Sequence, residues 1–264
     1  MKTTTLKKYV EERTKDKKII VILGGYLLCC LVSAIYWCIF FQPRNILMSI
    51  VFMGFVPLFF IVEHLINFRC GELFTLGVLG LAFGAILGTC FNLYTIIPFF
   101  DTILHGLSGI LFSCLGFTLA EKFFGKATDI KKFFGCLIFA VCFSLAIAVI
   151  WEIFEYGCSV FLGLDMMEDS YVTNINSYLL SGSHSKTVEI DGIIKTIIYY
   201  GDGQTYIING YLDLGLIDTL TDMIICTIGS IVFMTISIIS FFKMPKVNEM
   251  LIPQVFESKN YISN

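Results

Sequence analysis

Residues 73–120 read LFTLGVLGLAFGAILGTCFNLYTIIPFFDTILHGLSGILFSCLGFTLA, 48 residues of which nearly all are apolar or small. As one helix this run would extend about 72 Å at about 1.5 Å per residue, more than twice the roughly 30 Å hydrocarbon core of a bilayer. It must therefore fold back on itself. Asn92, Tyr94 and Pro98 interrupt it and Asp101 follows. Proline disfavours continuation of a helix, so the spacing predicts two spans, 73–98 and 99–120, joined by a tight turn.

Working outward, further apolar runs lie at 19–41, 46–62, 133–161 and 214–242. The whole chain is 56% hydrophobic and 15% charged, against about 25% charged in soluble domains. No soluble core hides that much apolar surface. The sequence predicts an all-α polytopic membrane bundle of six spans with a lipid bilayer as its solvent. A nucleic-acid partner is excluded, because no basic face with interleaved aromatics occurs. Of the ten cysteines, nine lie in or beside apolar runs and Cys70 lies in a short polar connection. They read as small packing residues, with no Cys-x-x-Cys and no disulfide framework. The first apolar run is too long for the h-region of a cleavable signal, so a retained signal anchor is expected.

Lysine and arginine set the expected orientation. With the N-terminus inside, fifteen of them fall on inner segments, and only Arg44, Lys186 and Lys195 on outer ones. That bias predicts a multi-pass plasma-membrane protein with both termini cytoplasmic. The expected organisation is an inner segment 1–18, spans one to five within 19–164, an outer loop 165–213, a sixth span 214–242 and a cytoplasmic tail 243–264. Within the loop, Thr187 to Ile190 and Ile193 to Tyr200 flank Asp191-Gly192 and predict a hairpin. Gly201-Asp202-Gly203 predicts a second turn before Gln204 to Ile208, so a small β-rich insertion is expected.

Three pairs of ionisable residues interrupt the apolar runs: Asp101-x-x-x-His105, Glu152-x-x-Glu155 and Asp218-x-x-x-Asp222. Each spacing places both members on one face of a helix. By the expected topology all three pairs fall near one membrane depth, toward the outside. Five carboxylates without an intramembrane basic residue must bind protons, bind cations or meet water. A divalent ion meets that demand, with Asp101, His105, Glu152 and Asp222 as ligands and Glu155 or Asp218 as a general base. One imidazole among carboxylates suits Zn²⁺, Mn²⁺ or Fe²⁺, and an all-oxygen subset suits Mg²⁺ or Ca²⁺. Singly, each residue also has an ordinary explanation. Asp101 and Asp218 fit helix N-termini, Glu155 fits interfacial water, and a lone His105 fits a hydrogen-bonded core position.

Other polar positions read as structural. Glu63-His64 ends the second span where solvated residues are ordinary, His184 lies in the loop without a ligand partner, and Trp151 and Tyr156 fit an aromatic belt. Gly80, Gly84 and Gly88 form a small-residue ladder for helix packing. No nucleophile elbow, P-loop or His-Glu-x-x-His is found.

The segments NLYTIIPFFDTILHGLSG at 92–109, WEIFEYG at 151–157 and DTLTDM at 218–223 resemble those of the YjdF-like inner-membrane proteins of bacteria. The resemblance runs from the third span onward. It implies that Asp101, His105, Gly109, Glu152, Glu155, Asp218, Thr219, Asp222 and Met223 belong to the family's pattern; the family's function is undefined. The long segment 165–213 departs from that pattern. The Asp-x-x-x-His segment alone also resembles VanZ-like membrane proteins. Three functions follow as expectations: a metal-dependent membrane hydrolase, a proton- or cation-coupled transporter using the same carboxylates, or a non-catalytic scaffold. The sequence names no substrate.

Overall fold

A computed structural model describes residues 6–65 and 70–243. Its helices are α1 (Leu6–Arg13), α2 (Lys17–Ile39), α3 (Pro43–Leu65), α4 (Glu72–Phe91), α5 (Leu93–Ile96), α6 (Phe100–Phe124), α7 (Ile130–Gly157), α8 (Tyr178–Ser181) and α9 (Leu216–Lys243). Among the described residues six helices, α2, α3, α4, α6, α7 and α9, are long and apolar enough to cross a membrane. The expected tail beyond Lys243 and the connection holding Arg69 lie outside the described residues. The chain divides into two compact units, 1–151 with 222–264, and 152–221.

The first unit is a helical bundle. Asp16 starts α2 by accepting from the backbone N–H groups of Lys18 and Ile19, at 3.1 and 3.3 Å. Pro43 opens α3, where its missing N–H costs nothing. The third span ends at Phe91, seven residues before the expected 98. Asn92 takes the left-handed conformation at φ 65°, which asparagine tolerates, and the short α5 follows. Ile97, held extended by Pro98, and left-handed Phe99 then lead into α6. The break therefore belongs to Asn92 as much as to Pro98.

The bundle exposes large apolar side chains and, beside its apolar core, buries several small hydroxyl groups. Val21, Leu28 and Ile39 are exposed, whereas Ser33, Ser49, Ser144, Ser230 and Ser237 are fully buried. Lipid gives no hydrophobic drive for helix association, so close packing and interhelical hydrogen bonds must supply it. Ser33 meets Ser49 at 2.8 Å, and Trp37 Nε1 donates to the Cys90 carbonyl at 3.1 Å. These ties join α2, α3 and α4. On the other side the carbonyl of Gly109 accepts from Ser144 at 3.2 Å and from Ser230 at 3.4 Å, drawing α7 and α9 onto α6. A methyl group at Gly109 would collide with the Cys226 carbonyl, and one at Gly229 with the Gly106 carbonyl. In α4 the ladder holds at Gly84, against Leu104, and at Gly88, against Tyr94. Gly80 faces open space, and Gly77, against Leu111, takes the place expected of it. Phe117, Phe133 and Phe233 fill the core at the other end, with Phe241 stacked on Phe133 at 4.1 Å.

Glu63 departs from the solvated role expected of it. It is 2% exposed and accepts from the Tyr9 hydroxyl, the Arg13 guanidinium and the Cys70 backbone N–H. Arg13 also reaches the Cys70 carbonyl at 3.2 Å and lies over the Phe60 ring. Burial, reinforced by the Glu63 carboxylate, pushes the Tyr9 phenol up, so it stays a donor. Burial works against the Arg13 charge, but the Glu63 carboxylate outweighs it and the guanidinium is raised. The short α1 is thereby fastened to the end of α3.

The second unit begins at Glu152 within α7, which runs on into a π-helical turn, Cys158–Leu162, stopped by left-handed Gly163. Strands β1 (Ser170–Val172), β2 (Ile175–Ser177), β3 (Val188–Ile190), β4 (Lys195–Tyr200), β5 (Gln204–Asn209) and β6 (Tyr211–Asp213) follow. They form three antiparallel two-stranded ribbons, β1 with β6, β2 with β3 and β4 with β5. The turn at Gly201 and Gly203 closes the β4–β5 hairpin as the glycines require, both at positive φ. The hairpin expected across Asp191-Gly192 does not form. Ile190 sits opposite Ile175, and the Ile193 N–H goes to the Thr173 carbonyl, so β3 and β4 never share a register.

Two stability measurements check this packing. Gly109→Ala should lower the thermal midpoint in detergent by an overpacking cost of about 2 kcal/mol, while Gly80→Ala, into open space, should leave it unchanged or raised. Arg13→Ala should cost about 3 kcal/mol by leaving Glu63 buried and unpaired, and Arg13→Leu combined with Glu63→Leu should recover most of that loss.

Candidate functional site

Asp101 and His105 lie in the first two turns of α6, and Asp222 lies in the second turn of α9, all within the helical unit. His105 Nε2 is 3.5 Å from Asp101 Oδ1 and 3.4 Å from Asp222 Oδ2. One ligand atom from each residue falls within 4.8 Å of the others. Side-chain exposure is 10% for His105, 4% for Asp222 and 27% for Asp101, so the cluster is buried on α9 and opens at Asp101. The packing below explains why the two helices meet here. His105 is one turn before Gly109, and Asp222 is one turn before Cys226, whose carbonyl leaves no room for a side chain at Gly109. Ser108 donates to the His105 carbonyl at 2.8 Å.

The arrangement has a specific chemistry. Both carboxylate oxygens approach the same imidazole nitrogen, at distances beyond the usual 2.7–3.2 Å of an N–H···O bond. One Nε2 carries at most one proton, so it cannot donate well to both. An imidazole with two carboxylates is a donor set for a divalent transition metal.

The remaining candidates have different settings. Glu152 and Glu155 are buried, 7% and 6% exposed, near the C-terminal end of α7. Asp218, in the first turn of α9, is part-exposed and accepts from the Glu168 N–H at 3.0 Å, which ties it to the segment after Gly163. The N-terminal amides of α9 are served instead by Asp213, whose carboxylate accepts from Ile217 at 2.8 Å. Burial and the neighbouring Asp169 carboxylate raise the Asp165 carboxyl above its ordinary value. His184 is exposed. The Tyr9–Arg13–Glu63 group was not readable beforehand, because no spacing rule links residues about fifty positions apart.

No curated protein and no solved structure matches the chain. A family model described as predicted membrane protein, DUF2238, matches residues 22–242, which takes in all six apolar helices apart from the first five residues of α2 and the last residue of α9. With the fold and the matched length in agreement, the chain belongs to the DUF2238 family of membrane proteins.

Proposed function

We propose that Asp101, His105 and Asp222 form a divalent-metal site in the membrane, and that the protein is a metal-dependent membrane hydrolase. The carrying observation is the single His105 nitrogen placed 3.4 and 3.5 Å from two carboxylate oxygens. Ligand atoms about 2.1 Å from a tetrahedral metal lie about 3.4 Å apart, whereas an octahedral ion with the same bond length brings neighbours to about 3.0 Å. Those two spacings are compatible with Zn²⁺, and one imidazole with two carboxylates suits it. Three protein ligands leave a fourth position open, the pattern of catalytic rather than structural zinc. Zinc bound there would supply a water of lowered pKa. His105 and Asp222 would orient the ion from the buried side, and the part-exposed Asp101 would face the approach.

Glu152 as a further ligand, and Glu155 or Asp218 as general base, are assigned on helical spacing in the sequence. The Glu168 N–H donates to Asp218, so Asp218 also has a structural bond to lose. The motifs shared with YjdF-like proteins support the same residue set, and the substrate is a lipid or envelope precursor by this reading. The charge bias supports a plasma-membrane protein with both termini cytoplasmic and the insertion outside.

Three measurements follow. Metal analysis of detergent-purified protein should find about one zinc per chain, reduced to background in His105→Ala and Asp222→Asn. Chelators should lower the thermal midpoint of the wild type and leave those variants unmoved. If no metal copurifies and neither EDTA nor added zinc shifts the midpoint, the carboxylates are protonated and the transporter reading takes precedence. Once a substrate is in hand, Glu155→Gln should lower kcat by about 100-fold or more with zinc retained, while Asp218→Asn should act on stability instead. Reporters fused at residue 185 should read outside, and those at 127 and 260 inside; an inside signal at 185 reverses the orientation.

A further inference from the structure

We propose that the β4–β5 hairpin of the 152–221 unit rests in the headgroup layer of the bilayer, with lipid as the cover for both its faces. The proposal is independent of the metal site. It starts from how the strand pairing distributes side chains. Residues directly opposite in an antiparallel pair share a face, and successive residues along a strand alternate. The register therefore sets Ile197, Tyr199 and Ile207 on one face and Ile198, Tyr200 and Tyr206 on the other. All six are between 40% and 76% exposed. A strand with one face on a core alternates apolar and polar residues, whereas this ribbon is apolar and uncovered on both sides. Cover is found near its open end, where Ile208 is buried. From Ile194 to Gly210 the charged residues are Lys195 and Asp202, one of each sign. A lone two-stranded hairpin is marginal in water, and this much bare apolar surface marks a contact.

The two-sidedness decides what makes that contact. Among the described residues no third strand pairs with β4 or β5. A strand added at either edge, from another copy or from a peptide, would bond the backbone and leave both faces as bare as before. A bilayer interface covers both. It takes the isoleucines on its acyl side and holds tyrosine rings with their hydroxyls among the headgroups. The open edges also set the depth. Their backbone groups need water or headgroups to bond, which excludes the hydrocarbon core.

The same unit carries lipid-facing surface of its own. Ile153, Tyr156 and Phe161 toward the end of one apolar span, and Leu216 and Leu220 at the start of another, are exposed. The hairpin is fastened close to that second span. The Thr196 hydroxyl donates to the Gly210 carbonyl at 2.7 Å, and the Gly210 N–H donates to the Ile194 carbonyl at 2.9 Å. Leu216 follows Gly210 by six residues, which reach at most about 21 Å when fully extended. The strands are each six residues long, or about 20 Å. The hairpin therefore lies within reach of the lipid surface that the span defines.

Fluorescence quenching of the full chain in nanodiscs of phosphatidylcholine and phosphatidylglycerol, loaded at one chain per disc, tests this. A fluorescent amino acid replaces Tyr199, Tyr206 or the exposed Ser185, and the thermal midpoint checks that each variant folds. A nitroxide placed high on the lipid acyl chain should quench the probes at 199 and 206 at least about twofold more than the probe at 185, and aqueous iodide should quench them at least about twofold less. Iodide quenching as strong as for the free fluorophore, with no quenching by the lipid nitroxide, would overturn the proposal. Shielding from iodide that appears with two chains per disc and is lost with one would also overturn it, and would assign the ribbon to a second copy.

Discussion

The close approach of α6 and α9 at Gly109 and Cys226 is the constraint on which the helical unit rests. In lipid, apolar side chains gain nothing by leaving their surroundings, so two helices stay together only if they touch closely and bond across the gap. Gly109 permits both, since its missing side chain admits the Cys226 backbone and its carbonyl collects Ser144 and Ser230. One turn earlier on each helix the same approach brings His105 to Asp222. The geometry of the polar cluster is inherited from a backbone contact one turn away.

This explains why the cluster was readable in the sequence to the extent that it was. Ionisable residues four apart on apolar helices stand out against their background, as Asp101, His105 and Asp222 do. Their meeting also needed Gly109 and Gly229, whose small size in a glycine-rich membrane chain gives no signal that separates a helix contact from an idle position. Gly80 shows the same ambiguity from the other side, being placed in a ladder by its spacing and found facing open space.

The six spans were readable because hydropathy over about twenty residues leaves few alternatives. Their ends were less so. The break before α6 was expected at Pro98, yet the chain turns first at Asn92, whose left-handed backbone is a permitted state rather than a required one. Strand pairing in 165–213 failed at Asp191-Gly192 for a similar reason. A turn signal says where the chain bends and not which strand it bends toward, and β3 found β2 instead. Glu63 was misread because its partners lie about fifty residues upstream, in a segment whose charges look solvated.

That last separation bears on how the protein is made. At about 5–20 residues per second a ribosome delivers Arg13 some 3–10 seconds before Glu63. Until then the guanidinium waits at the membrane surface with its intended acceptor not yet synthesised. The ion pair can close only if α2 and α3 have entered as a hairpin, with the end of α3 returned to the side where α1 remained. A third helix that failed to cross, or crossed the wrong way, would strand Glu63 on the far side and leave both charges unmatched. The buried pair thus requires α1 and the end of α3 to lie on the same side of the membrane.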